Sequence, residues 1–377
     1  MVNDHLTMMG ISKGNQIDPR FWAGRRVFLT GHTGFKGAWL AFWLAEMGAQ
    51  VTGYALAPST EPNLFDLLGL QGRLDHHEAD VRDAPTLQAV MKRAQPEIVF
   101  HLAAQPLVQL AHDDPADTFA SNVMGTVNVL DGVRMCPSVR AAVMVTSDKV
   151  YQNCEWSWRY REDDRLGGDD PYSASKAAAE ASIHAYRATY FQGADQPTVV
   201  AVRSGNVIGG GDFSEYRIVP DIVRAITAAD RTVQLRNPQA TRPWMHVLDS
   251  LAGYLQAAEV AARGDLTTTE ALNFGPIDPT PLPVLHLTQH LAQALGGAKI
   301  ETPDKVPGVP ENLRLAIDPT RAVVTLGWKP QLSMTDNLNL TATWYRAWHE
   351  GEDMVAISRR HLESWMSPQT VPEAVSA

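Results

Sequence analysis

Arg25-Arg-Val-Phe-Leu-Thr30, then Gly31-His-Thr-Gly34-Phe35-Lys36-Gly37, then the apolar run Ala38–Met47 follow one another without a break. The first piece reads as a short buried strand, the second as a glycine-rich turn and the third as a helix. Glycines at Gly-x-x-Gly-x-x-Gly spacing let the backbone turn tightly and approach a pyrophosphate, which rests on the N-terminus of the following helix. Such a triplet alone also fits a plain structural turn. Gln50–Tyr54 supplies a second strand where a βαβ unit needs one, and this favours dinucleotide binding. Strand and helix then keep alternating: a third strand ends near Ala79, a fourth spans Ile98–Leu102, a helix covers about Pro115–Met135, and further strands lie at Ala142–Thr146 and Thr198–Arg203. This alternation predicts an α/β, doubly wound parallel sheet.

The fifth strand stops at Thr146-Ser147-Asp148-Lys149, and further on stands Tyr172-Ser173-Ala174-Ser175-Lys176. Tyr172 and Lys176 are four apart in an Ala- and Glu-rich helical segment, so they project from one face, a turn apart. A free phenol titrates near ~10, so accepting a proton at neutral pH requires nearby positive charge, which Lys176 and an oxidised nicotinamide supply. A hydroxyl from the strand end, assigned to Ser147, holds the substrate oxygen whose proton Tyr172 takes. The same spacing on a surface helix is a solvated pair; the glycine-rich turn, the alternation and the polar strand end give it weight here.

The chain has 377 residues, 32 basic against 42 acidic, for a net charge of -10. That balance argues against a nucleic-acid or anionic-membrane partner and fits an ordinary soluble protein. No apolar run reaches membrane-spanning length. The first twenty residues lack an apolar signal core, which predicts an N-terminal extension and a cytoplasmic location. Cys136 and Cys154 are expected to be free thiols. His76 and His77 are adjacent in a strand and point to opposite faces, so no metal site is expected. The end of the second strand reads Leu56-Ala57-Pro58-Ser59-Thr60, with neither a carboxylate for an adenosine ribose nor an arginine for a 2′-phosphate. After Thr198–Arg203, Gly209-Gly210-Gly211 breaks the pattern and a second region begins. Its Asn206, Arg217, Arg236 and Arg242 suit a diphosphate, because a guanidinium presents a planar fork to phosphate oxygens, although scattered arginines are also ordinary surface charges. Trp244–Ala262 is read as a return to the first domain, with Asn273-Phe274-Gly275 as a last short strand. Asp278–Pro283 and Thr302–Pro310 read as loops, and a Trp-rich helix (Trp344, Trp348, Trp365) closes the chain before a tail at Ser367–Ala377. Trp156 and Trp158, in an irregular loop before Tyr172, serve packing or border a cleft.

Together these features resemble the extended short-chain dehydrogenase/reductase family. From Phe21 to about His349 the chain is most similar to its CDP-glucose 4,6-dehydratases, through Gly31–Gly37, His101-Leu-Ala-Ala-Gln-Pro-Leu-Val108, Thr146–Lys149, Glu155-Trp156, Asp170-Pro-Tyr-Ser173, Gly205–Gly211 and Arg242-Pro-Trp244. The resemblance implies a Rossmann-type sheet domain over 21–203 plus about 243–276. A smaller sugar-nucleotide domain would comprise about 204–242 and 277–366, with 1–20 and 367–377 as extensions. It implies NAD, held by Gly31, Thr33, Gly34, Phe35, Gly37, Asp80, Val81, Leu102, Ala103, Ala104, Tyr172 and Lys176. The substrate it implies, CDP-glucose, would meet Gln105, Asn122, Asn206, Arg217, Arg236 and Arg242. It further implies a redox-neutral dehydration in which Tyr172 is the base at C4, Lys176 its electrostatic partner, Ser147 a hydrogen-bond donor and Asp148 the acid for the 6-hydroxyl. Lys149 is either the C5 base or a cation that stabilises the enolate. A homo-oligomer, dimer or tetramer, is expected. A sugar-nucleotide 4-epimerase on the same scaffold and a non-catalytic dinucleotide binder are the other readings; the pair Asp148-Lys149 separates dehydration from epimerisation.

Overall fold

A strand buried on both faces of a sheet must be apolar at consecutive positions, and Arg26–Thr30 (β1) meets that demand with Val27, Phe28 and Leu29, all within 1% of full burial. The computed structural model describes residues 17–266, 271–278, 280, 282–302 and 313–367. Within them β1 sits inside a seven-stranded sheet with β2 (Gln50–Ala55), β3 (Asp75–Glu78), β4 (Ile98–His101), β5 (Ala141–Val145), β6 (Thr198–Ser204) and β7 (Ala271–Phe274). The spatial order is β7-β6-β5-β4-β1-β2-β3, and every pairing is parallel. The order reverses between β1 and β4, which leaves a crevice beyond their carboxyl ends, the place where open α/β sheets take their ligands.

Alternate strand residues feed two separate cores, as the two-residue period of a strand requires. Val27, Leu29, Phe100 and Val143 pack under α1 (Phe35–Glu46) and the later helix Val247–Ala262. Phe28, Val99, Ala142 and Met144 face the opposite layer, made by α2 (Ala84–Ala94), α3 (Gly125–Met135) and α4 (Pro171–Tyr190). The chain continues with α5 (Ile218–Thr227), α6 (Val247–Ala262), α7 (Val284–Ala294), α8 (Met334–His349) and α9 (Met354–Met366). No helix among the described residues is long and apolar enough to cross a membrane.

Two expectations are corrected. The helix read over Pro115–Met135 is a chain of three pieces, Pro115–Phe119, a π-turn at Ala120–Met124, and α3. The closing Trp-rich helix is two helices, α8 carrying Trp344 and Trp348 and α9 carrying Trp365. These pack back on the first domain, with Trp365 edge-on to Trp43 of α1 at 5.1 Å between ring centroids. Gly210 has to be glycine, since a Cβ there would lie 2.0 Å from the Trp344 ring, and its carbonyl accepts from the Trp39 indole at 2.8 Å. The last strand runs Ala271–Phe274 and ends one residue before the Gly275 of the sequence reading. Residues 1–16 of the expected N-terminal extension, 303–310 of the Pro-rich stretch and 368–377 of the tail lie outside the described residues.

Glu259 of α6 is buried and accepts from the Trp22 indole at 2.7 Å and the Asp18 backbone N–H at 3.3 Å, with Arg263 at 3.6 Å. Burial dominates over these partners and pushes its pKa from 4.5 up to about 7. A carboxyl that holds its proton more tightly folded than unfolded weakens the fold as pH climbs from the lower value to the higher. Glu259→Gln keeps an acceptor for Trp22 and removes the titration. Urea unfolding should then show the variant gaining on wild type by on the order of 2–3 kcal/mol between pH 4 and pH 8. An equal gap at both pH values would contradict this.

Candidate active site

The register brings the ends of four strands together: Thr30 of β1 pairs His101 of β4, His101 pairs Met144 of β5, and Val145 pairs Val202 of β6. Past β1, Gly31 takes φ +76°, and a Cβ there would stand 2.6 Å from the Ala103 N. A Cβ on Gly37 would lie 2.0 Å from the Gly31 carbonyl. Gly34, by contrast, is exposed and meets nothing closer than that carbonyl at 3.5 Å. The turn is therefore sealed on its inner side and open outward, over the free N–H groups of the first turn of α1, which is the shape a dinucleotide diphosphate needs. Thr33 is fixed by its hydroxyl donating to Leu56 O at 2.8 Å. The loop Leu102–Ala104 is held by Thr30: its carbonyl accepts from Leu102 N and its hydroxyl from Ala103 N, both at 3.2 Å. Beyond β3, the Asp80 carboxylate accepts from Arg82 N and Nε at 2.8 Å each, while the Val81 carbonyl accepts from Asn128 at 2.9 Å. The residues present fit a bound dinucleotide.

The catalytic candidates converge at the end of β5. Ser147 adopts an extended backbone and starts a single turn of tight helix, Asp148–Val150; its hydroxyl accepts from Lys149 N at 3.2 Å and donates to Asp148 Oδ1 at 3.1 Å. Asp170 caps α4, accepting from the Ser173 N–H and hydroxyl, and Pro171 at the first helical position fixes the entry angle. This sets Tyr172 in the first turn, where its phenol lies within hydrogen-bonding reach of the Ser147 hydroxyl. Lys176 follows one turn later, its ammonium 3.5 Å from the Val145 carbonyl.

Burial, more than the neighbouring lysine, governs these groups. Tyr172 is pushed up to about 12, first by desolvation, with Ser147 and Arg217 pulling it down and Asp148 pushing it up. The expectation that Lys176 lowers the phenol is therefore not met by the protein alone. Lys176 itself falls to about 8 because its charge is desolvated and Lys36 repels it, with Glu180 opposing. Asp148 is 3% exposed and its pKa is raised by desolvation against the pull of Lys149, Ser147, Arg242 and Lys36. Its Oδ2 is buried without a hydrogen-bond partner among the described residues, a costly state for a carboxylate.

The predicted substrate residues divide. Arg217, ahead of α5, pairs with Asp212 at 2.9 Å and lies close enough to Tyr172 to perturb its titration; Arg242 does the same to Asp148. Asn206 holds the second region in place through its carbonyl, which accepts from Met245 N at 3.0 Å. Arg236 is exposed, with its guanidinium 5.9 Å over the Tyr216 ring. The Asn122 and Gln105 side chains are engaged in the scaffold around the site. Asn122 is 1% exposed in the π-turn, accepts from Gln105 N at 2.8 Å and donates to Ser175 Oγ at 2.9 Å, which in turn donates to the Tyr172 carbonyl. The Gln105 side chain is spent on Leu107 and Thr118. The extra residue of the π-turn thus aims Asn122 at the catalytic helix. His76 meets His32 at 2.7 Å, and no cluster of three or more metal-ligating side chains occurs among the described residues.

A network missed in the sequence supports the strand end. Glu180 of α4 accepts from the Thr146 hydroxyl at 2.6 Å and from Arg203 Nε at 2.6 Å, with a second bond to Arg203 Nη2. Arg203 also donates to the Tyr151 hydroxyl at 2.7 Å, and that hydroxyl donates to Asn273 at 2.8 Å. Glu180→Ala strands a buried guanidinium, and losses of this kind run to about 3–5 kcal/mol. Chemical denaturation should show a fall of that order; a loss under about 0.5 kcal/mol would place the pair among solvent-screened surface bridges.

The family model described as GDP-mannose 4,6 dehydratase matches residues 28–341. The chain is 42% identical to a CDP-glucose 4,6-dehydratase from Salmonella typhimurium, over 94% of this chain and 99% of that one. It is 27% identical to a UDP-glucose 4-epimerase from Mycolicibacterium smegmatis, over 85% and 98%. A crystal structure of a dTDP-glucose 4,6-dehydratase from Streptomyces venezuelae with NAD bound superposes with a TM-score of 0.74 at 24% identity, covering 88% of this chain and 99% of the other.

Proposed function

The chain belongs to the GDP-mannose 4,6 dehydratase family, and from that premise we propose that it is a hydro-lyase converting CDP-D-glucose to CDP-4-keto-6-deoxy-D-glucose, with NAD as a cofactor that ends each cycle unchanged. The observation that carries the reading is the buried Asp148, whose free Oδ2 stands beside the Ser147–Tyr172 pair. An epimerase needs no second acid at this point, whereas loss of water does. Held over Gly31, Gly34 and Gly37 and beside Tyr172 and Lys176, a bound NAD would supply the acceptor for a hydride from C4 and the donor of the same hydride to C6.

Tyr172 takes the proton of the 4-hydroxyl as C4 becomes a ketone, and Ser147 donates a hydrogen bond to the same oxygen. The new ketone acidifies the C5 hydrogen. Asp148, whose pKa burial raises, gives its proton to the departing 6-hydroxyl so that it leaves as water. Lys149, next in the chain, either takes the C5 proton or holds the enolate while water accepts that proton. Lys176, Arg217 and Arg242 surround this point with positive charge in a chain of net charge -10, an electrostatic match for a diphosphate. The substrate is placed between the carboxyl edge of the sheet and a smaller domain formed by about 204–242 and 277–366. The two arginines that reach Tyr172 and Asp148 support this division.

The chain forms a dimer through α3 and α4 in this reading. Its support is a set of large apolar side chains left exposed on these helices and their neighbours, namely Leu110, Phe119, Met124, Met135 and Tyr190. Sedimentation showing only monomer would remove it. For the activity, one incubation with CDP-glucose, CDP-mannose, dTDP-glucose and GDP-mannose, without added cofactor beyond a stoichiometric amount, tests the proposal. A base-sensitive 4-keto product from CDP-glucose is expected. Net oxidation with stoichiometric release of reduced cofactor, or a C4 epimer without water loss, would overturn it.

A further inference from the structure

Asp148 and Lys149, to which the elimination falls, ride on a piece of backbone that is not self-supporting. The turn Asp148–Val150 closes through a long backbone bond, Val150 N to Ser147 O at 3.4 Å, and tight helices of this kind have poor hydrogen-bond geometry. The aim of both side chains is therefore set at the two ends of the turn. Upstream, Thr146 donates its N–H to Val202 O at 2.9 Å and its hydroxyl to Glu180 at 2.6 Å. Downstream, Val150 O accepts from Gly167 N at 2.8 Å, and Tyr151 is buried, its ring stacked on Tyr160 at 5.1 Å with the Arg203 guanidinium 4.9 Å from its own centroid. One guanidinium serves both ends. Arg203 binds the Glu180 carboxylate that holds Thr146, and its Nη1 donates to the Tyr151 hydroxyl. That hydroxyl donates onward to Asn273 Oδ1, whose amide nitrogen is committed to the Tyr160 and Asp318 carbonyls at 3.0 and 3.2 Å, so the orientation of the amide is fixed. Burial pushes the Tyr151 phenol up against the pull of Arg203, which keeps it neutral and able to accept and donate at once. With both bonds spent on Arg203 and Asn273, this hydroxyl moves no proton in the reaction.

We infer that Tyr151 is a positioning residue for the elimination: its hydroxyl, pinned between Arg203 and Asn273, fixes the downstream end of the turn and with it the aim of Asp148 and Lys149 at C6 and C5. Thr146, pinned to Glu180, fixes the upstream end, which presents Ser147 to C4. Oxidation and elimination thus have separate anchors on one buried support, the Glu180–Arg203 pair. A reacting group displaced by about 1 Å costs up to about 10²-fold in rate, so loosening one end of the turn should tell on one step and spare the other.

The inference rests on the dehydratase reading, and wild type separates the two. Absence of a 4-keto-6-deoxy product from CDP-glucose overturns both, whereas a dehydrating wild type leaves the role of Tyr151 to the variants. Tyr151→Phe keeps the ring in its stack and leaves Arg203 its bonds to Glu180 and to the Glu162 carbonyl at 3.1 Å. Thr146→Val keeps the shape and deletes the other hydroxyl. Each full-length, NAD-loaded enzyme is mixed with CDP-glucose, and with CDP-glucose carrying deuterium at C5, while reduced cofactor and product are followed by stopped flow and quench. In Tyr151→Phe, cofactor reduction should keep its wild-type rate and product formation should fall about 10–10²-fold. Reduced cofactor should accumulate, and the C5 isotope effect on turnover should rise. Thr146→Val should slow cofactor reduction and leave the elimination that follows unchanged. A Tyr151→Phe enzyme with both steps slowed alike, as a merely structural part would give, overturns the proposal, as does one with neither step changed. Should Tyr151→Phe not fold, any pattern in Thr146→Val other than slowed cofactor reduction with normal elimination overturns it equally.

Discussion

Tyr172→Phe should remove the substrate-dependent absorbance of reduced nicotinamide altogether and lower product formation by about 10²–10⁴-fold, the contribution of a positioned base. The substitution keeps the ring in its pocket and deletes only the oxygen that faces Ser147. Because desolvation holds Tyr172 near 12 in the protein alone, the phenol becomes a base at neutral pH only when further positive charge joins that of Arg217. The oxidised nicotinamide is that charge. Ultraviolet difference titration should thus show the Tyr172 phenol ionising at lower pH with oxidised NAD bound than without it. A Tyr172→Phe enzyme that still reduces its cofactor on adding substrate would assign the base elsewhere.

Asp148→Asn should separate the two halves of the reaction. Asparagine preserves the shape and can accept from Ser147 as Oδ1 does now, but it has no acidic proton to give the 6-hydroxyl. Oxidation at C4 should survive while elimination falls by about 10²–10⁴-fold, so reduced cofactor accumulates on the enzyme in a stopped-flow trace. The sign of the pH dependence follows from the direction of the shift. Asp148 works protonated and burial raises its pKa, so elimination in wild type should decline as pH rises through that raised value, and the Asn variant should lack this limb. Lys149→Met resolves the adjacent residue. Loss of elimination of similar size makes Lys149 the C5 base, and near-normal turnover reduces it to electrostatics. If Asp148→Asn and Lys149→Met both prevent cofactor reduction, the division of labour between Tyr172 and the Asp148-Lys149 pair is wrong.

The glycine spacing at Gly31, Gly34 and Gly37, the end of the first strand at Thr30, the ends of the fourth and fifth strands to within one residue, and the one-turn separation of Tyr172 from Lys176 were legible in the chain, because each is a short-range consequence of backbone geometry or of a two- or 3.6-residue period. Those patterns determined the sheet, the cofactor cradle and the catalytic face of α4. Only the tertiary structure decided what surrounds them. Arg217 and Arg242 reach the site from a different region of the chain, and the Glu180–Arg203 pair under Thr146 joins a helix to a strand across 23 positions. The π-turn that aims Asn122 at Ser175 was out of reach for the same reason, since it lies inside an otherwise ordinary helical pattern and leaves no periodic mark strong enough to read. The direction of the Tyr172 shift was also out of reach. Counting nearby charges predicts a lowered phenol, but desolvation depends on everything packed around the ring, and that is a property of the folded chain.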